Sequence, residues 1–281
     1  LMLDGFHNLA PTPVLMMIGP IKLYWYGLIL VVGMMLGIVS SGRLAKRFGL
    51  SAEVIYDLSF WLIIWGIVGA RLYDVLLEWS YYSQNLWDIV KIWQGGLAIH
   101  GAVIAGLTVV IIFALRHKLS FWSVAGVVVP GLAIGQAIGR WGNYFNQELF
   151  GRPTDLPWGI FIDEVHRPLD YANYSYFQPT FLYESLCSLL IFGFLMWLIK
   201  YFDQLKDREA KELGKIVIAS YFILFGLYRG AMEFIKIDVT PMIWGMRWPQ
   251  IMSLILMIIG GIILCITLGV RQRVAVDSRK I

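Results

Sequence analysis

Apolar residues gather along this chain in long blocks separated by short polar segments. Seven blocks approach the roughly 20 residues that a helix needs to cross a bilayer. They cover approximately residues 23–42, 57–77, 97–115, 121–138, 181–200, 215–235 and 249–270. The pattern predicts an all-α integral membrane protein with seven transmembrane helices. The fourth block is short and contains Gly126, Pro130, Gly131, Gly135 and Gly139, so it is expected to be kinked and packed against backbone rather than lipid. Gly131, Gly135 and Gly139 recur every four residues, a small face on which another helix can approach closely.

The polar segments divide by charge. Arg43, Lys46 and Arg47 follow the first block, and Arg116 and Lys118 the third. Lys200, Lys206, Arg208, Lys211 and Lys215 surround the gap after the fifth, and Arg271, Arg273, Arg279 and Lys280 follow the seventh. These are 14 of the 23 Lys and Arg residues, all on one side of a seven-span chain. The positive-inside rule makes that side cytoplasmic, with the N-terminus outside and the C-terminus inside. Residues 1–22 then form an outer-face arm, and Tyr24, Trp25 and Tyr26 open the first span where an aromatic belt belongs. Within a transmembrane domain of residues 23–270, the longest outer segment, 139–180, reads as a small periplasmic cap, and 271–281 as a cytoplasmic tail.

Composition agrees with lipid as the main solvent. Hydrophobic residues make up 58% and charged residues 15% of the 281, with mean hydropathy +0.68, against about 25% charge in a soluble domain. The net charge of +4 sits mainly in short loops, without a basic patch interleaved with aromatics, which argues against nucleic acid as a partner. Cys187 and Cys265 both lie in apolar runs, so no disulfide framework is expected. The first residues carry no basic n-region, short apolar core or cleavage site, and no removable signal peptide is expected.

The candidate chemistry lies at the outer ends of the spans. Arg71, His100, Arg140, Glu184, Arg229 with Glu233, and Gln250 all fall at similar depth by this topology. Ionisable groups there are costly unless paired or functional. Singly, each has an ordinary reading: Arg71 can pair with Asp74 at i+3, Arg229 with Glu233 at i+4, and His100 can be a satisfied buried histidine. Three arginines and a histidine from four segments at one level shift the balance toward a site. The densest motif runs from Gly139 to Gly151 and contains Arg140, Asn143, Asn146 and Glu148. Glycines admit close backbone approach, Asn offers donors and acceptors, and Arg matches a phosphate. A helix-terminating turn capped by Asn and Glu explains the same residues equally well.

The Gly139–Gly151 segment resembles the signature of the prolipoprotein diacylglyceryl transferases. Trp25-Tyr26-Gly27, Gly69-Ala70-Arg71, Gly95-Gly96-Leu97-Ala98-Ile99-His100-Gly101, Pro179-Thr180-Phe181-Leu182-Tyr183-Glu184, and Tyr228-Arg229 with Glu233-Phe234 resemble further motifs of that family, in its order, over roughly residues 20–260. The resemblance implies the first step of bacterial lipoprotein maturation at the inner membrane. The diacylglyceryl group of phosphatidylglycerol passes to the lipobox cysteine of a prolipoprotein signal peptide, giving a thioether and glycerol-1-phosphate. It also implies that Arg140 and Arg229 matter most, supported by His100, Tyr26, Asn143 and Glu148. Three positions depart from the family pattern: Ala102 replaces a common second glycine, Gln178 a frequent His, and Phe225 a frequent Tyr.

These implications assign expected roles. His100 is the candidate base for the thiol, and the cationic field of the arginines is the alternative. Arg140 and Arg229 would hold the phosphodiester. Tyr26, Arg71, Asn143, Asn146 and Gly151 complete the substrate-binding set, with Glu148, Glu184 and Glu233 orienting the arginines. No metal or other cofactor is expected: His7, His100, His117 and His166 are scattered, and no HExxH occurs. A transporter is the main rival class. It would favour charges at the midplane, whereas here they cluster at the outer ends.

Overall fold

The computed structural model describes residues 11–205 and 209–277. His7, Lys206, Arg208, Arg279 and Lys280 lie outside the described residues, as do the first ten residues of the arm and the last four of the tail. Seven long helices follow in order: α1 (Trp25–Leu44), α2 (Ala52–Leu77), α3 (Ile99–Arg116), α4 (Phe121–Phe145), α5 (Thr180–Leu205), α6 (Ala210–Met232) and α7 (Trp248–Asp277). All but α6 are long and apolar enough to cross a membrane. Helix α6 carries Lys211, Glu212 and Lys215 at one end and Arg229 at the other.

Strands are a minor addition to the expected all-α plan. Among the described residues three antiparallel pairs occur: β1 (Val14–Ile18) with β2 (Ile21–Tyr24), β3 (Ile160–Phe161) with β4 (Tyr176–Phe177), and β5 (Met242–Ile243) with β6 (Met246–Arg247). The first ladder occupies the described part of the arm and feeds directly into α1. The third turns on Trp244 and Gly245, both at positive φ, as a two-residue hairpin loop requires.

Helix α4 is the hub, packed against α1, α5 and α6, while α7 packs on α6 and α3 on α2. Two of the three spaced glycines make the α1–α4 crossing. A Cβ on Gly131 would stand 2.6 Å from the Gly37 carbonyl oxygen, and one on Gly37 would stand 2.7 Å from that of Gly131. Gly135 faces Gly33 one turn further on, whereas Gly139 has open space and takes no part. The α2–α3 crossing has the same basis, since a Cβ on Gly69 would meet the Gly101 carbonyl oxygen at 2.7 Å. The Gly-Ala-Arg and His-Gly motifs are therefore first of all a helix contact.

The fourth helix extends beyond its apolar block. It runs through Pro130 to Phe145, so Arg140 and Asn143 stand on a helix rather than in the outer segment expected to begin at residue 139. Helical bonding continues to Asn146, whose N–H donates to the Gly142 carbonyl at 3.1 Å. Positive φ at Gln147 and Leu149 then turns the chain away.

The basic ends of the helices gather at one end of the bundle. Arg47 pairs with Asp203 at 3.6 Å, Gly49 lies beside Ala210, and the Lys215 ammonium sits over the Trp122 ring. The opposite end carries the residues singled out for chemistry.

Candidate active site

Three helices bring Arg140, Glu184 and Arg229 together. Glu184 lies one turn into α5 and is 1% exposed. Arg140, near the end of α4, places Nε 3.1 Å from Glu184 Oε2. Arg229, in the last turn of α6, places Nη1 3.8 Å from Glu184 Oε1 and also pairs with Glu233, at i+4. The two arginines from separate motifs thus share one buried carboxylate.

Two further cations complete the cluster. Lys236, 3% exposed, brings Nζ within 3.1 Å of Glu184 Oε1. Arg247, on β6, pairs through Nε with Glu233 Oε2 at 2.8 Å and lies 3.5 Å from Asp238 Oδ1. Its other nitrogens donate to the carbonyls of Lys236 at 2.7 Å and Asp238 at 2.6 Å, which folds the 233–240 loop around the guanidinium. Neither residue was selected from the sequence. Arg247 met the criterion that selected Arg71, an arginine at the outer end of a span. Lys236 stood just beyond the sixth apolar block, three residues after Glu233.

Four cations thus stand with three carboxylates, a surplus of one positive charge. Removing ions from water costs several kcal/mol each even after relaxation, so mutual pairing is needed to hold them here. Pairing is incomplete. Glu184 Oε1 meets its cations without a well-aligned hydrogen bond, as does Glu233 Oε2. Burial pushes the Lys236 ammonium below the ordinary lysine range, opposed by Glu184 and reinforced by Arg229 and Arg140.

The signature segment surrounds Arg140. Asn143 and Asn146 both donate through Nδ2 to Glu148 Oε1, at 2.8 and 3.3 Å, so these three residues form the helix-ending turn that the sequence offered as the second reading. Tyr26 packs its ring directly on Gly142, where a Cβ would collide with it. Its hydroxyl feels the charges of both Glu148 and Arg140. Gly151 serves backbone pairing: its N–H donates to the Gln178 carbonyl at 2.9 Å, and it bridges to Lys236. A Cβ at Gly151 would stand 2.8 Å from Ile235 Cγ2. The motif glycine therefore holds the loop segment that carries Lys236.

Arg71 and His100 belong to the α2–α3 pair instead. Arg71 is buried and donates to the carbonyls of Asp88, Ile89 (2.9 Å), Gly95 (2.7 Å) and Gly96 (2.9 Å), with Asp74 at 3.7 Å. Its guanidinium clamps the loop between α2 and α3. His100 is exposed at the start of α3, its ring 5.9 Å from that of Tyr73. Among the described residues no ion pair or hydrogen bond of the Glu184 cluster reaches it. Gln250 accepts from the Arg247 backbone N–H at 3.0 Å, which fixes the hairpin on α7.

An apolar groove of about 380 Å³ lies between α5 and α6, lined by Cys187, Leu190, Ile191, Leu224, Leu227 and Tyr228. Tyr228, adjacent in sequence to Arg229, connects the groove to the cluster, and its hydroxyl stands 3.4 Å from Ser188 Oγ.

Residues 13–266 match the family model described as prolipoprotein diacylglyceryl transferase. Proteins named phosphatidylglycerol--prolipoprotein diacylglyceryl transferase in several organisms are similar to this chain. That of Trichormus variabilis is 43% identical, over 89% of this chain and 87% of the relative. That of Synechococcus elongatus is 44% identical, over 89% and 86%. That of Synechocystis sp. is 41% identical, over 89% and 87%.

Proposed function

The chain belongs to the prolipoprotein diacylglyceryl transferase family, and from that premise we propose how its buried charge cluster moves a diacylglyceryl group from phosphatidylglycerol to the lipobox cysteine of a prolipoprotein. The observation that carries the reading is the sharing of Glu184 by Arg140 and Arg229. Glu184 takes Nε of Arg140, which leaves the two terminal nitrogens to face an incoming anion. Arg229 lies on the other oxygen. A single phosphodiester matches the one surplus positive charge of the cluster.

The chemistry is a displacement at carbon. The cysteine sulfur attacks the glycerol carbon that bears the phosphate ester, a C–S bond forms, and the C–O bond breaks. Glycerol-1-phosphate leaves with the bonding pair, and the thiol proton passes to water. Negative charge grows on the departing phosphate. Fixed guanidinium donors aimed there stabilise the transition state more than the ground state. The same field favours thiolate over thiol, whose ordinary pKa is about 8.5. This reading assigns thiol activation to that field rather than to His100, which stands on another helix pair. Tyr26, with Asn143, Asn146 and Glu148 behind it, orients the headgroup; Glu184 and Glu233 orient the arginines. Arg71 and Gly151 act through the loops they hold, not by touching lipid.

The lipid and the signal helix enter from the side. The groove between α5 and α6 is apolar and ends near Arg229, which suits an acyl chain whose phosphate lies in the cluster. In this reading α6 is a seventh span, because its charged residues lie at its ends. The basic end of the bundle is cytoplasmic, and the site opens toward the outer leaflet of the bacterial inner membrane, beneath a cap formed by the segment after α4.

Detergent-solubilised protein, phosphatidylglycerol and a lipobox peptide test the function directly. The peptide should gain the mass of one diacylglyceryl group on its cysteine, and a peptide with Ser in place of that Cys should gain none. An unmodified cysteine peptide under these conditions overturns the proposal.

A further inference from the structure

Glu184 is held by three cations, and the three are not equivalent. Arg140 has Oε2 to itself, at 3.1 Å. Oε1 is contested: Lys236 Nζ lies at 3.1 Å and Arg229 Nη1 at 3.8 Å. That oxygen has no well-aligned hydrogen bond, so its orientation follows the nearest charge. Attraction falls with distance, which makes Lys236 the dominant partner of Oε1 and leaves Arg229 the looser one.

Lys236 is fixed from its backbone. The 151–152 segment pairs with it, Arg152 N–H donating to the Ile235 carbonyl at 3.0 Å and Gly151 bridging to Lys236 itself. On the other side, Arg247 Nη1 donates to the Lys236 carbonyl at 2.7 Å. Two separate elements therefore place this ammonium against Glu184.

We propose that Lys236 is a positioning residue: by occupying Oε1 of Glu184 it keeps that carboxylate from closing on Arg229, and so keeps the Arg229 guanidinium open to the lipid phosphate. The inference rests on the proposed function, since it concerns a phosphate at Arg229. Without the ammonium, Glu184 has only Arg140 and Arg229 to balance it. Arg229 is then drawn into contact, held by Glu184 on one side and Glu233 on the other, and its charge is neutralised before substrate arrives.

The same closure follows when Lys236 loses its proton. The charged groups facing it are Arg140 on α4, Glu184 on α5 and Arg229 on α6, with Glu233 three residues before it in the chain and Arg247 of the hairpin on its carbonyl. Burial lowers its pKa and outlasts the opposing pull of Glu184. As pH rises through that value the ammonium is lost, so kcat/KM for phosphatidylglycerol falls on the alkaline side. Arginine stays protonated throughout this range.

Three proteins decide the matter: wild type, Lys236→Met and Lys236→Arg, each full length in detergent, assayed with phosphatidylglycerol and a lipobox peptide across pH. Lys236→Met should raise KM for phosphatidylglycerol about tenfold or more, the loss of roughly one charge-assisted contact, with KM for the peptide unchanged. Lys236→Arg should restore activity near neutral pH and carry the alkaline limb upward by about one pH unit or more. A Lys236→Met enzyme with wild-type KM for the lipid overturns the inference. So does a Lys236→Arg profile whose alkaline limb coincides with the wild type, and that comparison alone decides if Lys236→Met fails to fold. Wild-type protein that transfers nothing overturns the proposed function, and this inference with it. Wild-type transfer with an unmoved alkaline limb overturns this inference alone.

Discussion

Arg140 illustrates how burial divides the donors of one side chain. Its Nε is taken by Glu184, which in the proposed reading leaves the two terminal nitrogens as a pair for the lipid phosphate. Lysine has one point charge and cannot satisfy both directions. Arg140→Lys should therefore lower kcat by about 10²–10³-fold, the loss expected when one fixed transition-state donor is removed, while the protein elutes as wild type on gel filtration. His100→Gln should keep near-normal turnover of phosphatidylglycerol and peptide. A loss comparable to that of Arg140→Ala would restore His100 as the base. Glu184→Ala is a different kind of change. It leaves Arg140 and Lys236 without their carboxylate in a site that is 1% exposed at Glu184. Breaking such a buried pair costs about 3–5 kcal/mol, so the midpoint of thermal unfolding in detergent should drop sharply, along with activity.

Among the elements, α1 and α4 are held close by absent side chains. Gly33 and Gly37 face Gly135 and Gly131 across the crossing. In lipid there is little hydrophobic drive between helices, so association depends on such packing. Gly131→Leu should separate α1 from α4, displace Tyr26 from Gly142 at the outer end, and lower the thermal midpoint. Gly139→Leu, at a position with open space around it, should do neither. Equal destabilisation by both would mean that this crossing does not set the helix spacing. The helix ends follow a related logic. The Asn143–Asn146–Glu148 turn closes α4 and carries Arg140 at a fixed height beside α5. The β5–β6 hairpin does the same for Arg247, with Trp244 and Gly245 supplying the left-handed turn.

At the scale of the whole molecule, the two ends of the bundle differ in kind. One carries paired surface charges around Arg47, Asp203 and Lys215, and the other a buried ionic cluster. Sidedness is open to chemical labelling in a background lacking Cys187 and Cys265. A cysteine at Trp244, 90% exposed on the hairpin tip, should react with a membrane-impermeant maleimide added to spheroplasts. A cysteine at Lys118, in the turn after α3, should react only after lysis. The reverse pattern would invert the proposed topology.

The long apolar blocks made the helices legible before any coordinates, because a span in lipid must satisfy its own backbone and needs a fixed length of apolar sequence. Arg140, Glu184, Arg229 and Glu233 were legible as a candidate site for a related reason: charge at membrane depth requires a partner or a task. Pairing was not legible. Depth in the membrane singled out Arg71 and Arg140 alike, the family resemblance ranked Arg140 higher, and only the fold bound the first to loop carbonyls and the second to Glu184. Lys236 escaped notice because its place comes from a bridge to Gly151 set by tertiary packing; Arg247 met the criterion that selected Arg71 and was passed over, but only the hairpin decides which carboxylates it meets. Local pattern determines which segments enter the bilayer. Which of the charges at their ends meet depends on how the helices cross, and that is decided by contacts between residues far apart in the chain.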